Sequence, residues 1–270
     1  MIVIDIRNPF NSPVYHEETV SSTMEISRKL AVNGAPHGTV ITCDFQQNGR
    51  GRKAGRSWDM ERAVNLPFTI LLRYPRLENI PAVITLRAGL AVLFAIEDFA
   101  PSLNNQVKIK WPNDILINSK KVAGILCEAD SGTVHLGIGV NVAQREFPVD
   151  LRGKATSIEL AMNNEQRAMN NEQLTFNIEQ AKFDLRYVLL EKILIKLHDM
   201  LDSEVNKDWR LQLEKRLYKK GEQVVFIEGE ADSGKEVKGC LMGIGEHGEL
   251  VIFPDGEREP RSFFSGELKK

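Results

Sequence analysis

The sequence predicts an α+β protein: a mixed, mostly antiparallel sheet with segregated helices, followed by a small all-β unit. Three observations carry this expectation. The middle of the chain reads as strand, turn and strand rather than as strand and helix in alternation. Residues 80–99 place apolar side chains at 83, 86, 90, 93, 94 and 96, the spacing of a helix with a wide buried face. From Gly221 onward, short β-branched runs alternate with Gly, Asp and Glu turns, as in a small barrel or sandwich.

Taken in order, the first helix begins at Ser22. Ser22 with Glu25 three residues on forms a capping-box pattern, and Asn33-Gly34 supplies a stop. Residues 39–45 (TVITCDF) are β-branched and read as a strand, and 46–60 as a polar loop. The continuous apolar run 66–72 suits a buried strand, with Pro67 placing it at a sheet edge or at a strand's start. Residues 107–110 and 115–117 flank the break at Trp111-Pro112, and Asn118-Ser119 reads as a hairpin turn. Strands over 122–129 and 134–142 follow, joined by Asp130-Ser131-Gly132. AMNNEQ then occurs twice within 161–173, a polar duplication of the kind surface loops tolerate. Residues 174–217 form two helices divided near Asp202-Ser203. Strands over 224–227, 237–244 and 250–253 complete the chain, and the change of pattern near Lys219-Lys220-Gly221 divides it into units 1–218 and 219–270.

Composition excludes several classes. With 42% hydrophobic and 27% charged residues the chain is globular, and its formal charge of −2 argues against a whole-surface polyanion binder. The three cysteines, Cys43, Cys127 and Cys240, have no CxxC spacing and read as reduced and cytosolic. The start of the chain lacks the pattern of a secretory signal. The apolar stretch 86–99 is interrupted by Arg87, Glu97 and Asp98, so no membrane span is expected. His16, His37, His135, His198 and His247 form no metal-binding spacing with one another or with cysteine.

Three constellations carry chemistry. In GRGRKAGRSW (49–58), four cations (Arg50, Arg52, Lys53, Arg56) fall within seven residues, interleaved with three glycines. Arginine offers bidentate donors to carboxylate or phosphate, and glycine allows close backbone approach, so the segment reads as an anion clamp. A solvated basic loop or a nonspecific nucleic-acid contact is the plainer reading. No Walker-type GxxxxGK[ST] motif is present. KWPND (110–114) with KKVAGIL (120–126) places lysine, an aromatic, an amide and a carboxylate beside a strand end, which suits a nucleotide; Asn113-Asp114 alone would also make a turn. GIGVN (137–141) is weaker, because glycines in a strand mark a bulge or close packing.

In this order, SST (21–23), QQNGRGRKAGRSW, KWPNDILI, KKVAGIL and GIGVN resemble the biotin protein ligase family over roughly residues 15–215. The tail, with GCLMGIGEHGELVIF and FFSGELKK, is similar to that family's SH3-like C-terminal domain. The resemblance implies a catalytic domain of the class II aminoacyl-tRNA synthetase-like kind. The family's arginine loop commonly has one residue between GRGR and GR, whereas Lys53-Ala54 gives one more here. Some members carry an N-terminal DNA-binding domain; the segment before Ser22 is too short for one, so no repressor role and no DNA partner are expected.

The family activates biotin with ATP as biotinyl-5′-adenylate and passes it to a lysine of a biotin carboxyl carrier protein. By resemblance, Ser22, Thr23, Met24, Gln46, Arg50, Gly51, Arg52, Lys121 and Gly124 hold biotin, with Arg52 and Lys121 catalytic. Lys110, Trp111, Asn113, Asp114 and Asn141 line the ATP side, with Asp114 meeting Mg2+. The implied partner is the carrier domain of a biotin-dependent carboxylase, the setting cytoplasmic with no membrane, and a homodimer is allowed. Residues 221–270 are expected to be dispensable for binding biotin but needed for efficient ATP use or transfer. The rival readings are a lipoate ligase or transferase of the same fold, and a non-enzymatic nucleic-acid-binding protein.

Overall fold

A computed structural model describes residues 1–52, 55, 57–81, 83–130, 132–168, 178–202, 206–229 and 234–269, with side chains for all of these except 164–168 and 178–184. Lys53, Ala54, Arg56, Ser131, Ser203 and most of the second AMNNEQ copy therefore lie outside the described residues.

The α+β expectation holds. One eight-stranded sheet runs in the order β1 (Ile2–Val3), β2 (Val14–Val20), β3 (Thr39–Gln46), β4 (Leu66–Arg73), β8 (Thr133–Val140), β7 (Lys120–Asp130), β6 (Asp114–Ile117), β5 (Val107–Lys110). Every neighbouring pair is antiparallel except β2–β3. Asn118 and Ser119 both take positive φ, the left-handed pair of residues that a tight β6–β7 hairpin needs. Pro67 is the second residue of β4, an interior strand, just outside the last β3–β4 pair, Thr42↔Phe68; of the two positions expected for it, the one near the strand start is taken.

Period-two alternation gives this sheet two different faces. Phe68, Ile70 and Leu72 of β4, Ile125 of β7, and Leu136 and Ile138 of β8 belong to the main core with α2 (Ile84–Phe99) and α4 (Ile178–Leu201). Their sequence neighbours Thr69, Gly124, Leu126, Gly137 and Gly139 point the other way. On that side α1 (Thr23–Val32) packs on β3, β4 and β8, with Thr69 Oγ1 donating to Thr23 Oγ1 at 2.8 Å.

The helix expected over 80–99 begins at Ile84, because Val83 takes a left-handed φ of 57° and a 3-10 turn occupies Leu77–Asn79. Residues Leu77–Phe99 are long and apolar enough for a membrane-crossing helix, but α2 is the core helix of this fold. Its interruptions are paired inside: Arg87 donates to the Met200 carbonyl at 3.0 Å, and Glu97 pairs with Arg216 at 3.0 Å. Helix α3 is Ile158–Ala168; α4 ends at Leu201 and α5 covers Trp209–Arg216.

The tail forms a separate antiparallel sheet, β12 (Arg261–Phe263), β11 (Leu250–Pro254), β10 (Lys235–Ile244), β9 (Gln223–Glu228), β13 (Gly266–Leu268). It is fastened to the first sheet. Buried Trp111 donates from Nε1 to the Gly248 carbonyl at 2.9 Å and meets the Phe226 ring at 6.0 Å.

Candidate functional site

The N-terminus of α1, the end of β3, the arginine loop and the glycine face of β7 and β8 line one open cavity. All nine residues expected around biotin line it: Ser22, Thr23, Met24, Gln46, Arg50, Gly51, Arg52, Lys121 and Gly124.

Local chemistry explains their placement. Ser22 is the N-cap of α1 and accepts from the Met24 amide at 3.3 Å. The capping box is not completed as expected. Glu25 turns instead to Ser21 and Arg50: Ser21 Oγ donates to its Oε2 at 2.7 Å, and Arg50 Nη2 to its Oε1 at 2.9 Å. These donors, Ser21 first, hold the Glu25 carboxyl below its ordinary range. Thr23 donates from both its amide and its hydroxyl to Gln46 Oε1, at 2.8 and 3.0 Å, fixing the Gln46 amide at the cavity wall. Arg52 donates to the Gly266 carbonyl of the second sheet at 3.0 Å, so the tail reaches the cavity rim.

Lys121, on β7, is a third cation of the lining. A register irregularity between Ile115 and Leu116 adjoins it, and the 154–156 segment pairs with its backbone: Lys121 N donates to Lys154 O and Thr156 N to Lys121 O, each at 2.9 Å. Its Nζ is 2.6 Å from Asp114 Oδ1 and 5.6 Å from the centroid of the Trp58 ring. Trp58 is the main lining residue that sequence reasoning did not assign. Its indole lies on Gly124 and Gly139, and its buried Nε1 has no hydrogen-bond partner. The glycines of GIGVN were the signal for such close packing, but nothing in the sequence named the ring they receive.

The five residues expected on the ATP side are less concentrated. Trp111 and Asn113 line a second cavity, bounded also by Thr85, Cys127, His247 and Phe264; it shares Arg52, Asn113, Ile125 and Leu126 with the first. Asp114 reaches the site through Lys121. Lys110 and Asn141 line neither cavity, being 5% and 4% exposed. Burial lowers the Lys110 pKa against the opposing pull of Asp114. Asn141 acts as a brace: Nδ2 donates to Thr156 O at 3.0 Å, while buried Oδ1 has no partner. Among the described residues no group of three or more His, Cys, Asp or Glu could hold a metal ion. A single carboxylate still suits Mg2+, which commonly takes one or two carboxylates and completes its shell with water and substrate phosphate.

Residues 17–143 match the model of the Biotin/lipoate A/B protein ligase family. The chain is similar to that family over this segment, a little under half of its length. The matched segment contains every residue expected to contact biotin or ATP. Over 156 residues the chain is 40% identical to the "Bifunctional ligase/repressor BirA" of Bacillus subtilis, covering 55% of this chain and 46% of that protein. It is 31% identical over 137 residues to the "Biotin--[acetyl-CoA-carboxylase] ligase" of Mycobacterium tuberculosis, covering 49% and 50%. The chain thus spans about half the length of these curated relatives. A solved biotin protein ligase from Aquifex aeolicus, in complex with biotin and ATP, superposes with a TM-score of 0.71 at 27% identity, covering 95% of this chain and 97% of that one. The ligase-family likeness in fold therefore extends over both sheets.

Proposed function

We propose that this protein is a biotin–protein ligase: it activates biotin with ATP as biotinyl-5′-adenylate and transfers biotin to a lysine of a carrier protein. The observation that carries this reading is the single cavity into which four separated segments bring hydroxyls, an amide, two arginines and a lysine. The ureido group of biotin needs donors and acceptors at one end of a pocket, which Ser22, Thr23 and Gln46 provide. Its carboxylate needs cations, which Arg50, Arg52 and Lys121 bring to the same cavity.

In the first step a biotin carboxylate oxygen attacks the α-phosphorus of ATP, and pyrophosphate leaves. Catalysis of such a step rests on positioning and on neutralising charge at the phosphoryl oxygens. Lys121 is held for this by its backbone pairing, by Asp114 and by the Trp58 face; Arg52 lines the same cavity. Met24, Trp58 and the glycine face cover the fused rings and keep water from the anhydride. In the second step the acceptor amine attacks the anhydride carbonyl and AMP leaves. Trp111, Asn113 and Asp114 serve the nucleotide, Lys110 and Asn141 by bracing the walls. Mg2+ accompanying ATP would be held by Asp114 with phosphate oxygens and would supply charge neutralisation there.

The acceptor on this reading is the biotin carrier domain of a carboxylase, in the cytoplasm, with residues 1–218 as the catalytic unit and 219–270 as the second. The test is incubation with biotin, ATP and a carrier domain, followed by mass spectrometry of the carrier. Addition of one biotinyl group supports the proposal. An unmodified carrier, or one modified only when lipoate replaces biotin, contradicts it.

A further inference from the structure

We infer that Glu25 is a positioning residue for the arginine loop: it holds Arg50 at the cavity rim and so presets the loop for an anionic ligand. The inference rests on the functional reading above for the identity of that ligand, but the latch itself rests on geometry alone.

Glu25 sits in the first turn of α1, where a glutamate ordinarily reaches back to the N-cap amide. Here it reaches across 25 residues of sequence to Arg50 Nη2 at 2.9 Å, while its second oxygen accepts from Ser21 Oγ at 2.7 Å. Both carboxylate oxygens are thus committed to the loop and its base. The same corner is tied by backbone bonds: Gln47 N donates to Val20 O at 3.0 Å and Asn48 N to Ser21 O at 2.8 Å. The loop then closes on itself through Trp58 N to Gly49 O at 2.9 Å and the Arg50–Ser57 bridge. Glu25 is therefore one side chain through which the helix that carries Ser22, Thr23 and Met24 grips the loop that carries Arg50, Gly51 and Arg52, beyond the Thr23–Gln46 hydrogen bonds at the loop's start. Among the described residues it joins these two walls of the cavity by an ion pair.

The pair is 35% and 47% exposed, so it is screened by salt and modest in strength. An unlatched loop samples more conformations, and the apparent affinity falls in proportion to the lost competent fraction.

The experiment is hydrogen exchange of the ligand-free full chain over residues 46–52, with biotin calorimetry, for wild type, Glu25→Gln, Arg50→Gln and the double variant. The expected result is faster exchange by about three-fold in each single variant, no further gain in the double, and biotin affinity weakened about three-fold in Glu25→Gln. The wild-type advantage should shrink as salt is raised, which a merely structural role of Glu25 would not produce. Glu25→Asp should recover part of it. Unchanged exchange in Glu25→Gln, or additive effects in the double variant, would overturn the latch. If the wild type fails to bind biotin, the functional reading fails, while the exchange data still decide the latch.

Discussion

Gly124 and Gly139 face each other across the β7–β8 ladder, and the indole of Trp58 rests on both. A Cβ on Gly139 would come within 2.7 Å of Trp58 Cε2, and one on Gly124 within 3.0 Å of Lys121 Nζ. The cross-strand glycine pair is thus the floor on which the aromatic wall and the cationic centre are set.

Gly139→Ala should therefore displace Trp58 with little harm to the sheet. The expected outcome is a loss of about 10-fold or more in kcat/KM for biotin, of the size small misplacements cause, with a changed tryptophan emission and a near-unchanged melting temperature. Steady-state kinetics with fluorescence checks it; wild-type kinetics would show that the floor is not part of the site.

Lys121→Ala and Arg52→Ala should each slow adenylate formation by roughly 100-fold or more, the usual loss for one preorganised charge at a phosphoryl centre. Lys121 is partly exposed, so its removal leaves no buried gap. Single-turnover kinetics with circular dichroism checks both halves of this expectation. Near-wild-type rates in both variants would remove them from the mechanism.

Acid should destabilise the fold through His135. It is buried on β8 with Nδ1 2.8 Å from Ser27 Oγ, and burial lowers its pKa from 6.5. A histidine with a depressed folded pKa binds fewer protons folded than unfolded. Its contribution is therefore intact above 6.5 and is lost as pH falls toward the folded value. Denaturant titrations at pH 7 and pH 5.5 should show the loss, and His135→Gln should reduce the difference. His16 shifts in the same direction through burial, so the variant removes only part of the slope.

Truncation after Lys220 should cost more than the sequence alone implied. The tail was expected to be dispensable for biotin, yet Trp111 and Arg52 both donate to its carbonyls. Removing it uncovers the buried Trp111, takes away the strand β10 that packs on α5, and frees Arg52 from Gly266. We expect a fall in melting temperature of about 10 °C, corresponding to a few kcal/mol for a domain of this size, together with weaker biotin binding. Scanning calorimetry and biotin titration of the truncated chain check this.

Much of this was legible. The N-cap at Ser22, the buried strand 66–72 and the Asn118-Ser119 turn follow from local chemistry, and nine of the residues that line the cavity were implied by the family resemblance. What was not legible has physical reasons. The residues of β2 include Tyr15, His16, Glu17 and Glu18, because half of that strand faces outward and the buried His16 meets Tyr187 and Asp44. Strands β12 and β13 have three residues each, too few to show a period. Glu25 looked like a helix cap because its partner Arg50 is distant in sequence. Lys110 and Asn141 were grouped with the ligand contacts by motif, but their side chains are turned into the protein.

The most direct test is ATP–pyrophosphate exchange by the full chain, with biotin or lipoate as the carboxylate. It isolates the first chemical step and needs no carrier. The account predicts exchange that depends on biotin and is lost in Lys121→Ala. Exchange supported by lipoate and not by biotin, or none with either, would contradict it.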